Sequence, residues 1–142
     1  MSDRIRVLIL CTGNSARSQM AEGLLRHYGA EVFEVVSAGI DPGFVRPEAI
    51  EAMREVGIDI SSHRSKSIDE FIAQPFDYVI TVCDNANQRC PVFAGASRRI
   101  HWSIEDPAVI GGDDETRLGA FRLARDELRE RLRGFITTAL ED

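Results

Sequence analysis

Apolar positions along this chain follow two rhythms. Nearly unbroken runs over Ile5–Leu10 and Tyr78–Val82 read as strands buried on both faces, and Val32–Ser37 and Arg99–Trp102 read as two more. Between them the spacing lengthens to three and four residues. Ser15–Tyr28 sets Met20, Ala21, Leu24 and Leu25 on one helical face, while Pro47–Val56 opens on a first-turn proline and closes at Gly57, a C-terminal cap. Ser67–Ala73 is a short third helix. A long final helix starts at Asp113 or Asp114, either of which can cap it. Leu118, Phe121, Leu128, Leu132, Phe135 and Ile136 form its apolar stripe, and the charges of Arg125–Arg133 form its wet face. Strands alternating with helices predict an α/β fold, a three-layer αβα sandwich around a four-stranded parallel sheet, with residues 1–142 as one domain.

Such a sheet binds ligands beyond the carboxyl ends of its strands. Cys11 follows the first strand, Cys83 the third, and Asp106 comes shortly after the fourth, so all three are expected at one edge. With 142 residues, 44% of them hydrophobic, the chain can bury one real core. Only about six apolar residues precede Cys11, too few for a signal or a membrane span, so a cytoplasmic monomer without membrane association is expected. Thiols stay reduced in that compartment, and an odd number of cysteines argues against a disulfide framework. The net charge of −6, from 17 basic and 23 acidic residues, excludes nonspecific nucleic-acid binding. It also requires any anionic substrate to meet a strong local positive site.

The loop leaving the first strand supplies one. In "CTGNSARS", Cys11 to Ser18, backbone N–H groups of Thr12, Gly13, Asn14, Ser15 and Ala16 can converge on an anion at a helix N-terminus. Gly13 and Asn14 tolerate the unusual backbone this needs. Arg17 adds a rigid fork of donors matched to a tetrahedral oxyanion, and Ser18 can donate to the Cys11 sulfur. Cys11 is thus expected as a thiolate nucleophile beneath an oxyanion cradle. The spacings of a nucleotide P-loop and of a dinucleotide fingerprint are both absent.

Cys83 and Cys90 lie seven positions apart. Wound as a helix, that interval rises about 10.5 Å, whereas a disulfide needs Cα atoms within about 7 Å. The two can join only if the segment unwinds, and Asp84, Asn85, Asn87 and Pro91 make weak helix material. Three readings stand at this point: a redox pair serving Cys11, two inert buried cysteines, or a structural zinc site completed by His63 and His101, which lacks the usual C-x2-C pair.

Cys11, Gly13, Asn14, Arg17 and Ser18 spell C-x-G-N-x-x-R-S, which resembles the phosphate-binding loop of low-molecular-weight protein tyrosine phosphatases and of the arsenate reductases that share their fold. Adding the C-x6-C pair Cys83 and Cys90, the chain resembles the thioredoxin-coupled arsenate reductases in particular. The similarity extends to "RPEAIEAMREVGIDIS" and the final helix. That resemblance implies reduction of arsenate to arsenite by a relay in which Cys11 attacks and Cys83 and Cys90 carry the disulfide, with thioredoxin as reductant and no metal or cofactor. It also implies oxyanion contacts from Thr12 through Ser18 and makes Asp106, before Pro107, the proton donor. A phosphotyrosine phosphatase is the alternative; those enzymes usually follow their Asp-Pro with tyrosines, where Ala108 and Val109 stand here. Some relatives hold a potassium ion beside the loop through an acidic residue where this chain has Lys66, its one lysine, so the Lys66 ammonium is expected in that position beside Asn14, Glu22 and Ser37. His27, His63, His101 and Trp102 read as structural or solvated.

Overall fold

A computed structural model describes residues 4–91 and 97–141. Its elements run β1 (Ile5–Cys11), α1 (Arg17–Gly29), β2 (Phe33–Gly39), α2 (Pro47–Arg54), β3 (Tyr78–Thr81), α3 (Asp84–Arg89), β4 (Arg98–His101) and α4 (Asp114–Glu141), with short 3-10 turns at Ile68–Glu70 and Pro107–Val109. The four strands pair in parallel in the order β2-β1-β3-β4. β1 and β2 stay in register from Ile5↔Phe33 to Cys11↔Gly39, so the central strand delivers Cys11 opposite a glycine.

Two boundaries differ from the periodicity. The first helix begins at Arg17 rather than Ser15, because Ala16 at φ −137° and ψ −76° is still part of the loop wrapping Cys11. Ser67–Ala73 contracts to a single 3-10 turn: Ile68 and Phe71 are both buried, and a three-residue turn already brings that pair to one side. Of the two candidate caps for the last helix, Asp113 does the work, accepting a 2.8 Å hydrogen bond from the Thr116 N–H.

Strand register decides what covers each face, since side chains alternate and paired residues share a side. Phe33, Val35, Ser37, Val7, Ile9, Tyr78 and Ile80 face α1 and α4: the Phe135 ring packs on Phe33 and Tyr78, and Ser37 bonds Glu22 of α1. α2 completes that layer through Arg125, whose Nη1 donates to the Ala52 carbonyl at 2.8 Å. Arg6, Leu8, Thr81, Arg99 and His101 face the other way. Among the described residues the cover there includes Phe76, beneath the Arg6 guanidinium, and the short helix α3. Val7 to Leu10 are fully buried, as a strand covered on both faces must be.

Candidate active site

The loop after β1 is built to present unsatisfied donors. α1 has no side-chain cap and no acidic residue in its first turn. The N–H groups of Ser15, Ala16, Arg17 and Ser18 have no acceptor among the described residues. A helix end left so is an anion site in waiting. Asn14 turns the chain with φ 48°, the left-handed region, and sends its N–H to Cys11 Sγ at 3.2 Å. Gly39 backs the loop: a Cβ there would lie 2.7 Å from the Thr12 carbonyl oxygen and 2.8 Å from the Asn14 nitrogen. Only a residue without a side chain lets β2 approach this closely.

A buried polar network sets the direction of the hydrogen bond to Cys11. The Lys66 N–H can only donate, so Asn14 faces it with Oδ1, at 2.8 Å. Asn14 Nδ2 then donates to Ser18 Oγ at 2.8 Å and Ser37 Oγ at 2.9 Å. Ser37 passes its own proton to Glu22 Oε1 at 2.6 Å. Ser18 Oγ, accepting from Asn14, keeps its own proton available for Cys11 Sγ, 2.8 Å away. The sulfur thus has two potential donors about it, the Asn14 N–H and the Ser18 hydroxyl.

Glu22 is the anionic end of this network. It is 3% exposed, with Arg26 at 3.3 Å, Lys66 Nζ at 3.6 Å and His63 Nδ1 at 3.7 Å. Burial pushes both the Lys66 ammonium and the His63 imidazole down from their ordinary values, against the opposing pull of Glu22. Lys66 Nζ also donates to the Arg64 carbonyl at 3.1 Å. The residues do not fit an added cation, because an ammonium already lies against the buried carboxylate.

Arg17 is aimed from two sides. Its Nη1 donates to the Ile104 carbonyl at 2.8 Å, and its Nη2 lies 3.6 Å from Asp106 Oδ2. Asp106 Oδ1 accepts the Ala108 N–H at 3.0 Å, capping the turn that Pro107 begins. Its second oxygen is left facing the arginine.

All three cysteines are free thiols. Cys83 caps α3, its Sγ accepting the Ala86 N–H at 3.4 Å, and lies 3.3 Å from Thr12 Oγ1 in the Cys11 loop. Asn85 Nδ2 donates to that same hydroxyl at 3.1 Å, so the Thr12 hydroxyl bridges Asn85 and Cys83. Cys90 ends α3, half-buried, and burial pushes its thiol up from 9.0. The structure therefore gathers Cys11, Thr12 to Ser18, Cys83 and Asp106 at one sheet edge and holds Cys90 at the far end of α3. His63, read as structural or solvated, is structural, its Nδ1 lying 3.0 Å from Gln19 Oε1. Sequence reasoning passed over Gln19, whose Nε2 braces Asn14 Oδ1 at 2.9 Å. It also missed Gly39, for which "SAG" at a strand end was the available signal. His101 follows the structural half of its reading, since both ring nitrogens are engaged. Trp102 lies in the core and His27 is exposed, stacked edge-on with Tyr28.

Residues 6–142 match the family model described as low molecular weight phosphotyrosine protein phosphatase. An arsenate reductase of Halalkalibacterium halodurans is 44% identical over 132 residues, covering 93% of this chain and 95% of that protein. A solved arsenate reductase in an oxidized state superposes with a TM-score of 0.80 at 35% identity, covering 94% of this chain and 97% of that one. A thioredoxin-dependent arsenate reductase of Corynebacterium glutamicum gives a TM-score of 0.70 at 30% identity, over 97% of this chain and 65% of that one.

Proposed function

From the premise that this chain belongs to the low molecular weight phosphotyrosine protein phosphatase family, we propose that it is an arsenate reductase working by a three-thiol relay, with thioredoxin as its reductant in the cytoplasm. The observation that carries this reading is a second thiol beside the nucleophile's own loop: Cys83 Sγ lies 3.3 Å from Thr12 Oγ1. A phosphoester hydrolase has no use for it.

Arsenate enters the cradle of loop N–H groups and takes over the Arg17 fork. Cys11 thiolate attacks arsenic and a sulfur–arsenic bond forms. Asp106 acts as the general acid, delivering a proton to the departing oxygen, which leaves as water. Loss of one cradle donor costs about 2.7–4 kcal/mol where charge develops. Cys83 thiolate then attacks Cys11 sulfur. A sulfur–sulfur bond forms, the sulfur–arsenic bond breaks, and its electron pair stays with arsenic, which leaves as arsenite. Cys90 attacks Cys83, Cys11 departs as thiolate, and the disulfide becomes Cys83–Cys90 as α3 unwinds. Two electrons from thioredoxin reopen it by thiol exchange.

In the Cys90→Ser variant, one equivalent of arsenite is expected per enzyme, followed by arrest with Cys11 joined to Cys83, read by peptide mapping. Sustained thioredoxin-driven turnover in that variant would remove Cys90 from the scheme. Arsenate consumed without thiol oxidation would return the chain to the phosphatases.

A further inference from the structure

α3 is a helix with little apolar reason to exist. Of its six residues only Ala86 is buried, and an isolated helix of this length is unstable in water. Polar contacts hold it instead, at both ends. At the start, Asp84 Oδ1 receives His101 Nε2 at 2.9 Å, and His101 is itself fixed through Nδ1 to Thr81 Oγ1 at 2.8 Å. At the finish, Arg89 Nη1 meets Asp41 Oδ2 at 3.2 Å, beyond the carboxyl end of β2. Between them Arg99 Nη2 reaches the Asn87 carbonyl at 3.3 Å. His101 and Arg99 are two apart on β4 and therefore share the face that α3 covers. None of these side chains takes part in the arsenic chemistry described above.

We propose that His101 and Asp41 are positioning residues that clamp the two ends of α3, and that the clamp sets the redox poise of the Cys83–Cys90 pair. The inference rests on the relay reading. A Cys83–Cys90 disulfide requires the ends of α3 to come together, which the wound helix forbids. Contacts made to the wound helix therefore stabilise the dithiol form and not the disulfide. In forming the disulfide, the two thiols lose two electrons and two protons to an oxidant disulfide, which becomes a dithiol. The stronger the clamp, the more oxidising the pair, and the more readily an external dithiol reduces it.

The test uses Cys11→Ser protein, so that only this pair reports, equilibrated in oxidised and reduced dithiothreitol buffers and quantified by alkylation. His101→Gln and Asp41→Asn are each expected to shift the equilibrium about threefold toward the disulfide, about 14 mV more negative for a two-electron couple. The double variant is expected to shift it about ninefold, about 28 mV, because the two ends act independently. A role in stability alone would lower the thermal midpoints of both redox forms alike and leave the potential unmoved. Unchanged potentials in all three variants, or shifts toward the dithiol, would overturn the clamp while leaving the relay intact. Failure of the parent protein to form any Cys83–Cys90 disulfide would overturn both.

Discussion

At the scale of single residues, the site depends on which way a few protons point. Ser18 accepts from Asn14 Nδ2 and keeps its hydroxyl proton available for Cys11, and Asn14 is oriented by a backbone N–H that cannot reverse. A hydrogen bond to a charged group contributes about 1.5–3 kcal/mol, so Ser18→Ala should slow alkylation of Cys11 by iodoacetamide at neutral pH by about tenfold or more. Equal rates in variant and parent would show that the sulfur draws nothing from this contact. Lys66 poses a second question at this scale. Its ammonium already neutralises the buried Glu22, so replacing potassium by sodium should change neither the melting temperature nor the KM for arsenate. Lys66→Ala should destabilise the protein, though by less than the about 3–5 kcal/mol expected for a stranded buried charge, because Arg26 still reaches Glu22. A parent protein that melts higher in potassium than in sodium would contradict this account of Lys66.

Elements matter through what they leave undone. α1 leaves its N-terminus uncapped and so offers donors to an anion; α3 buries one alanine and so can unwind at small cost. Cys90 sits at the C-terminal end of that second helix, where burial raises its thiol above 9.0. Its attack on Cys83 requires the thiolate. From a trapped Cys11–Cys83 disulfide, release of Cys11 should therefore accelerate with pH through neutrality and on past 9.0, close to tenfold per unit, in a stopped-flow measurement. A rate that levels off near pH 7 would mean that α3 has opened before Cys90 attacks.

The whole molecule is asymmetric. Among the described residues, one face of the sheet carries three mutually packed helices, and the other carries the short helix α3, the element the relay must move. The heavy layer is tied by charge as well as by packing. Glu55 of the α2 C-terminus accepts from Arg122 at 2.7 Å and Arg125 at 3.0 Å. The Arg122 hydrogen bond does most to hold the Glu55 carboxyl down at about 2 from its usual 4.5. A depressed carboxyl stabilises the fold above pH 4.5 and loses that contribution as the pH falls toward about 2. Urea midpoints should therefore drop across this window in the parent and more shallowly in Glu55→Gln. Identical slopes would place the acid sensitivity elsewhere.

Periodicity and spacing alone determined the α/β class, the four strands, and the cysteine-to-arginine loop at a sheet edge, because burial on both faces and anion binding each demand residue types that a sequence displays. The element ends were legible only where a cap announced them, as at Pro47 and Gly57; Ser15 and Ala16 carry no mark that the loop continues past them. Tertiary structure alone decided the orientation of Asn14 by the Lys66 N–H, the need for glycine at position 39 and the grip of His101 on Asp84. Each joins residues far apart in the chain, and hydrogen-bond direction, close approach and side-chain pairing are properties of distance in space, which no local pattern encodes.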